Sequence, residues 1–526
     1  MKPADLAIPK VIHQTWKSAE LEQPFKSFQA SWRLHHPEWE YRFWTDQDLD
    51  VLVQTHAPGL LQLYRDYPDP ICRIDLARYL ILHVHGGLYC DIDFECFQNV
   101  ERLLDEAAFV IGLEPDSHAS GNPKFSERGL SQVLSPAWMA STPGHPFMRQ
   151  ALDALPGTAT QVDVLDRTGP FFLTRVFQEF AAQESIRLVS ADLLHPFSSE
   201  ACWDGVATDF LLWDEARAKA VAAHHWAGTW FRTPPRADHL RVPRRLDVRI
   251  GRPGHWSLQP VDISAELGSQ HQPVISCLMV TRDRFEQART AIACWQTQTW
   301  PAKEMVIVDD GDDNRLAEWI ASTGDPDIRI IRLPDDGRTL GALRNIAVQK
   351  SRGTLVCQWD DDDLYHPLRL EIQCRALIAT QSDACFLSMW MMWWPNAGRF
   401  AASRIHSWEG SVLAKKRKLP AYPELRRGED TPAIRKLIAN SKVIHLDQPS
   451  LYLYCVHGKN TWDNRHFESM WNEAVRHYEG RDAAAIKLKL QQMYPVLNDD
   501  FVYPAPQHRA KVSAWERLKR RFARLP

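Results

Sequence analysis

Apolar positions along the 526 residues fall into two successive blocks of the same kind. In the first, Pro9-Lys-Val-Ile-His13 reads as an extended run, Phe25 to His36 recurs with helical spacing, and Trp39-Glu-Tyr-Arg-Phe-Trp44 is extended again. Leu76, Tyr79, Leu80 and Val84 then share one face of a further helix, Gly86-Gly87 ends it, and Leu88-Tyr89-Cys90 resumes a strand. Between Phe231 and Gln272 the periodicity fades into a stretch crowded with Pro, Arg and Gly, which breaks regular elements. It restarts with the unbroken apolar run Pro273 to Val280, a helical segment Arg284 to Thr297 (Phe285, Ala288, Ile292, Trp295) and a second run Glu304 to Val308. Such runs fit strands buried on both faces of a parallel sheet, and strand-helix-strand order begins a doubly wound α/β layer. The pattern predicts two Rossmann-like domains in tandem, residues 1–235 and 273–508, with a linker at 236–272 and a tail at 509–526. The length agrees, because single cores stop growing at about 250 to 300 residues.

Composition narrows the class. Lys plus Arg number 62 against 66 Asp plus Glu, a formal charge of -4, so no basic field exists to hold a nucleic-acid backbone. Hydrophobic residues at 44% exclude a disordered or fibrous chain, and 21 Trp suit a large core or sites that stack sugars and bases. Ten Cys form no Cys-x-x-Cys pair, which fits reduced thiols. The opening MKPADLAIPK lacks a signal-peptide apolar run, and no stretch approaches the roughly 20 apolar residues of a membrane span. The expected location is therefore cytoplasmic. The tail is basic, with Val512, Trp515, Leu518, Phe522 and Leu525 at helical spacing. It reads either as an amphipathic helix on the inner face of an anionic membrane or as a solvated or docking end.

Two acidic signatures hang at predicted strand ends. The first is Gly86-Gly-Leu-Tyr89-Cys-Asp91-Ile-Asp93, preceded by Asp75 and Arg78 at i and i+3 of the helix. The second is Asp360-Asp361-Asp362-Asp363 directly after the apolar Thr354 to Cys357. Four adjacent Asp are not expected in a core, since like charges repel and an unpaired charge is expensive to bury. Beyond the carboxyl ends of α/β strands ligands bind, and paired carboxylates there make a hard-oxygen site for Mn²⁺ or Mg²⁺ with room for phosphate oxygens.

The first string, with Ile8-Pro-Lys-Val-Ile-His-Gln-Thr-Trp16, Trp44-Thr-Asp46, Pro143-Gly-His-Pro-Phe147, Thr168-Gly-Pro170 and His224-His-Trp-Ala-Gly-Thr-Trp230, resembles glycosyltransferase family 32 and its DXD-containing sugar-binding region. That resemblance implies a GT-A fold. It puts the metal on Asp93 and His225, the ribose or sugar on Asp91, donor-sugar hydroxyls on Asp75 and Arg78 beside Tyr89, and the base on Trp16. His225 or His224, with Thr229 and Trp230, would close over the diphosphate. The sequence departs from the family at Ile74, where a small polar residue is common, and at Thr229, where Ser is usual.

The second half, with Thr281 and Arg284, Asp309-Asp310-Gly311, Arg344-Asn345, the Asp run, Gly428-Glu429-Asp430-Thr431 and Tyr454-Cys-Val-His457-Gly-Lys-Asn460, resembles glycosyltransferase family 2. This implies a second GT-A domain: Thr281, Asp309, Asp310, Arg344 and Asp360 on the nucleotide sugar, Asp362 and His457 on the metal, and Asp430, beside Glu429, as catalytic base. Asp430 could instead cap its helix. Only this half carries a base, so the expectation is inversion at the second site and retention at the first, as its family retains. The partners implied are nucleotide-sugar donors and a glycan or lipid-linked glycan acceptor, such as a capsular or lipopolysaccharide chain. Two alternatives differ in class: one half as a non-catalytic sugar-binding module, or a metal-dependent nucleotidyltransferase or phosphohydrolase, against which the sequence shows neither a Gly-rich phosphate loop nor a His-Asp metal cluster. Trp390, Trp393 and Trp394 read as an acceptor platform or as core.

Overall fold

The computed structural model describes residues 7–116, 127–203, 209–229, 242–252, 255–265 and 272–504. The chain divides into two compact units, one formed by residues 1–244 with 484–493, the other by 245–483 with 494–526. The tail at 509–526 and Trp230 lie outside the described residues. Among the described residues, no helix is long and apolar enough to cross a membrane.

The first unit is built on a six-stranded mixed sheet in the order β2-β1-β3-β6-β5-β7, where β1 is Val11–Trp16, β2 Glu40–Thr45, β3 Gly87–Cys90, β4 Phe94–Cys96, β5 Phe109–Leu113, β6 Leu134–Ser141, β7 Ile186–Val189 and β8 Ala222–His224. β1 runs parallel to both β2 and β3, with His13 opposite Tyr89, so Trp16 and Asp91 emerge at the same carboxyl edge. Helix Pro70–His85 starts with Pro in its first turn and ends at Gly86, whose φ of 64 suits glycine. A Cβ there would come within 2.8 Å of the Ser141 carbonyl, so Gly86 also permits the close return into β3. Leu76, Leu80, Phe147 and Phe172 pack on one side of the sheet, while Trp32, Phe94, Trp138 and Val221 pack together in a second core cluster.

The second unit carries a nine-stranded sheet with a parallel heart: β11 (Ile275–Thr281), β12 (Lys303–Asp309), β13 (Ile328–Arg332) and β14 (Leu355–Gln358), ordered β14-β11-β12-β13. This is the 3-2-1-4 order of a Rossmann-like half, and it puts Thr281, Asp309 and Gln358 at one carboxyl edge. The sheet continues antiparallel through β19 (Leu413–Lys415), with β16 (Ala384–Leu387) and β20 (Val443–Leu446) beyond it. A separate five-stranded sheet holds β15 (Leu364–Tyr365), β21 (Tyr452–Cys455), β17 (Met391–Trp394), β18 (Arg399–Ala402) and β22 (Arg476–Tyr478).

Two expectations change here, and one open alternative is decided. Of the interval 236–272 read as linker, β9 (Arg245–Arg252) and β10 (His255–Asp262) form an antiparallel hairpin, and β9 pairs with β20. The reason is a hidden alternation: Leu246 and Val248 are buried while their Arg and Asp neighbours point away, a period-2 pattern masked by surrounding Pro and Arg. Residues 484–493, expected in the second domain, belong to the first unit. Trp390, Trp393 and Trp394 are buried, with Trp390 stacked on Trp408 at 4.5 Å and Trp393 on Phe400 at 5.8 Å, so they are core rather than an acceptor platform.

Candidate functional site

In the first unit the helix Pro70–His85 and the end of β3 deliver a linked set of charges. Asp75 and Arg78 are each only 3% exposed. The Arg78 guanidinium lies 3.2 Å from Asp75 Oδ1 and 3.3 Å from Asp91 Oδ1, and it donates to the Pro136 carbonyl at 3.1 Å. Thr168 Oγ1 donates to Asp75 Oδ2 at 2.7 Å, and Tyr89 OH to Asp91 Oδ1 at 2.9 Å. Burial pushes the Asp75 carboxyl up to about 6, with Arg78 opposing, and raises Asp91 in the same way.

After Asp91 the chain bends into β4, which pairs with β8 so that Phe94 faces His224. This pairing brings His224 Nε2 to 3.2 Å from Asp93 Oδ1, while the Ala227 amide donates to Asp93 Oδ2 at 2.8 Å. Burial alone would raise the Asp93 carboxyl; the His224 charge and hydrogen bond and the Ala227 amide hold it down to about 2. Ligand atoms of Asp91, Asp93 and His224 all lie within 4.8 Å of one another, the one such trio among the described residues. Two carboxylates and an imidazole converging in this way fit a divalent cation, and the nitrogen suits Mn²⁺ better than Mg²⁺.

The metal role expected of His225 is corrected. Adjacent residues point to opposite sides, so while His224 meets Asp93, His225 Nε2 turns to Glu95 Oε2 at 2.9 Å and its ring stacks on Phe28 at 4.2 Å. Trp16 sits half-buried at the end of β1, against Phe25 at 4.9 Å, at the same edge as Asp91.

In the second unit the run of four Asp makes the turn between β14 and β15 with alternate residues buried, against the expectation that such a run stays out of the core. Asp361 and Asp363 point inward and Asp360 and Asp362 are half-buried. The inward pair is tolerated because each has donors. Thr281 Oγ1 (2.6 Å) and Arg284 (2.9 Å) bind Asp361; Tyr452 OH (2.6 Å) and the Cys455 amide (2.8 Å) bind Asp363. Burial raises Asp363 well above the ordinary carboxylate range, and it lifts Asp361 to about 6. Pairing of β15 with β21 carries the chain to His457, whose Nε2 stands 3.1 Å from Asp362 Oδ2. Arg284 reaches the same carboxylate at 2.8 Å.

Arg344, on helix Leu340–Lys350, donates to Asp360 at 3.0 Å and to Glu429 at 2.6 Å. Glu429, expected among the catalytic groups, is thus buried and ion-paired. Asp430 opens helix Asp430–Asn440, is half-buried, and accepts from the Thr431 amide at 2.8 Å. An amide one residue on is not the partner of an N-cap, which bonds two or three residues ahead. Asp309 and Asp310, expected to face the nucleotide, are both buried and hold Arg332 and Arg282 respectively. Those arginines, Glu95 and the choice of His224 over His225 were missed. Glu95 had a signal, as the third acid of the alternating string Asp91-x-Asp93-x-Glu95; the arginines had none.

Residues 23–110 match the glycosyltransferase sugar-binding region containing the DXD motif, and residues 276–415 match glycosyl transferase family 2. The chain therefore carries two glycosyltransferase regions in tandem. Among characterised relatives, inositol phosphoceramide mannosyltransferase 3 of Schizosaccharomyces pombe is 35% identical over 176 residues, 32% of this chain and 45% of its own length. Inositol phosphoceramide mannosyltransferase 1 of the same yeast is 28% identical over 231 residues, 41% of this chain and 68% of its own. The chain thus spans less than half of the first relative. A solved mannosyltransferase of Pyrobaculum calidifontis, PcManGT in complex with GDP-Man and Mn²⁺, overlaps 45% of this chain and 71% of its own at 16% identity and a TM-score of 0.30.

Proposed function

We propose that the protein is a metal-dependent glycosyltransferase with two donor sites, each moving a hexosyl group from a nucleotide sugar to a glycan or lipid-linked glycan acceptor. The observation that carries this reading is the meeting of Asp91, Asp93 and His224 at the carboxyl edge of the first sheet, with Arg78 of the Arg78–Asp75 pair 3.3 Å from Asp91. The names of the curated relatives support a mannosyl donor and a lipid-borne acceptor for the first region. A surface polysaccharide of the capsular or lipopolysaccharide kind is the acceptor we favour for the second.

Bound at each site, the cation would act as a Lewis acid relieving charge on the departing diphosphate. The protein's own groups do the rest. In the first unit Asp91, Asp93 and His224 would hold the ion, Arg78 fixes Asp91, and Trp16 offers a stacking face for the base. In the second, Asp362 and His457 would face the ion, Arg344 and Asp360 would orient the donor, and Glu429 locks Arg344 in place. Asp430 accepts the acceptor hydroxyl's proton, giving inversion; for the first site we favour retention, as in the family its motif resembles.

The test is a sugar-nucleotide screen on the full chain, with Asp93→Asn and Asp362→Asn each silencing one site. The expected result is nucleoside diphosphate released only with acceptor, and two products separated by the two variants. Release without acceptor would make the protein a hydrolase, and one variant without effect would leave that unit a binding module. Anomeric NMR of each product checks stereochemistry; an inverted product from the first site overturns that part.

A further inference from the structure

Glu95 lies two residues past Asp93 and is 2% exposed. Its Oε2 accepts from Trp213 Nε1 at 2.9 Å and faces His225 Nε2 at the same distance. Its Oε1 is reached from the far end of the sequence: Gln492 Nε2 donates to it at 3.4 Å, and the ammonium charge of Lys489 acts on the same carboxylate. Lys489 is 3% exposed, with its Nζ 5.1 Å over the Trp213 ring. Both residues belong to the 484–493 segment of the first unit, on helix Gly480–Met493.

A buried carboxylate is stable only when its charge is balanced and its lone pairs are occupied. Here that balance reaches the candidate metal trio. Glu95 is opposite Ala223 in the β4–β8 pair, and His225, held by Glu95, donates its backbone amide to the Asp93 carbonyl at 3.0 Å. Fixing Glu95 therefore fixes the segment that presents His224 to Asp93.

We propose that Lys489 and Gln492 are positioning residues of the first site, acting through Glu95 and His225 to hold His224 in register with Asp93, so that residues 484–493 complete a site whose ligands lie between 91 and 224. This rests on the reading of Asp91, Asp93 and His224 as metal ligands. Outer partners of metal ligands typically change affinity by about 10- to 100-fold when removed.

The test uses the full chain carrying Asp362→Asn, so that Mn²⁺ titration followed by electron paramagnetic resonance of the free ion reports the first site. Lys489→Met is expected to weaken Mn²⁺ binding about tenfold and Lys489→Arg to keep it within about threefold, a rescue that depends on charge rather than on packing alone. Asp93→Asn in the same background is expected to abolish binding. Unchanged affinity in Lys489→Met while Asp93→Asn abolishes it overturns this inference and leaves the metal-site reading standing; unchanged binding in Asp93→Asn overturns both. If Lys489→Met does not fold, Gln492→Leu, which retains both charges, is expected to weaken Mn²⁺ binding measurably, and no change there overturns the inference.

Discussion

Replacing Arg78 by Met isolates what the buried charge pair in the first unit does. The guanidinium sits 3.2 Å from Asp75 and 3.3 Å from Asp91, with arginine and Asp75 side chains almost free of solvent. At an effective dielectric of about 20, each contact is worth about 5 kcal/mol of attraction, most of it offset by desolvation of the three groups. Removing the cation takes the counter-charge from the buried Asp75 and the half-buried Asp91, leaving them only the Thr168 and Tyr89 hydroxyls, and it takes the Arg78 donor from the Pro136 carbonyl; such removals cost about 3 to 5 kcal/mol. Asp75→Asn alone should cost about 1 kcal/mol or less, because burial already holds that carboxyl near 6 and Arg78 keeps Asp91. In the double variant one uncompensated charge is gone, so its cost should fall short of the sum of the two singles by about 1.5 to 3 kcal/mol. Hydrogen exchange by mass spectrometry on peptides covering β3 and β6 reads the first unit separately from the second. Arg78→Met should speed exchange there by roughly a hundredfold or more, and the double variant should recover a large part of it. Additivity of the two singles within about 0.5 kcal/mol would refute the claim that Arg78 and Asp75 are a coupled buried pair.

Three further outcomes are expected. Asp430→Asn should lower the second site's turnover by about 10²- to 10⁴-fold with donor KM nearly unchanged, checked by steady-state kinetics; a rise in KM alone would make Asp430 a binding group. Burial alone would raise the Glu304 carboxyl, but the Ser276 hydroxyl, the Arg352 amide and guanidinium and the Arg329 charge hold it down to about 2. A depressed carboxyl stabilises the fold above its unfolded value near 4.5 and loses that contribution as pH falls towards 2. Glu304→Gln should therefore flatten acid unfolding across this window by about 2 kcal/mol, allowing for partly exposed arginine partners. Val248→Asp puts a charge into the buried side of β9 and should cost about 3 kcal/mol or more, seen as a lower Tm and faster proteolysis near residues 245–262; a loss below about 0.5 kcal/mol would mean the hairpin is not part of the core.

The acidic run shows how much was legible. That Asp360 to Asp363 lies at a strand's carboxyl end could be read from the apolar residues before it, whereas Asp360 and Asp362 as the ligand-facing pair rested on the resemblance to glycosyltransferase family 2. That Asp361 and Asp363 are buried could not, because the donors that permit it, Thr281, Arg284, Tyr452 and the Cys455 amide, come from other strands and loops. The hairpin at 245–262 was hidden for the same reason: its short alternation is decided by pairing with β20, nearly two hundred positions away.

By itself the sequence determined what depends on neighbours along the chain: the strand-helix order of both units, the stop at Gly86, and the placement of Asp91, Asp93, Asp360, Asp362 and Asp430 at element ends. Only the tertiary structure decided what depends on neighbours in space. It turned His224 rather than His225 towards Asp93, because the β4–β8 register fixes which face each residue presents and a shift of one would exchange them. It drew Glu429 onto Arg344, and it brought Gln492 to Glu95 across 397 positions, since a buried charge takes whichever partner the fold carries to it.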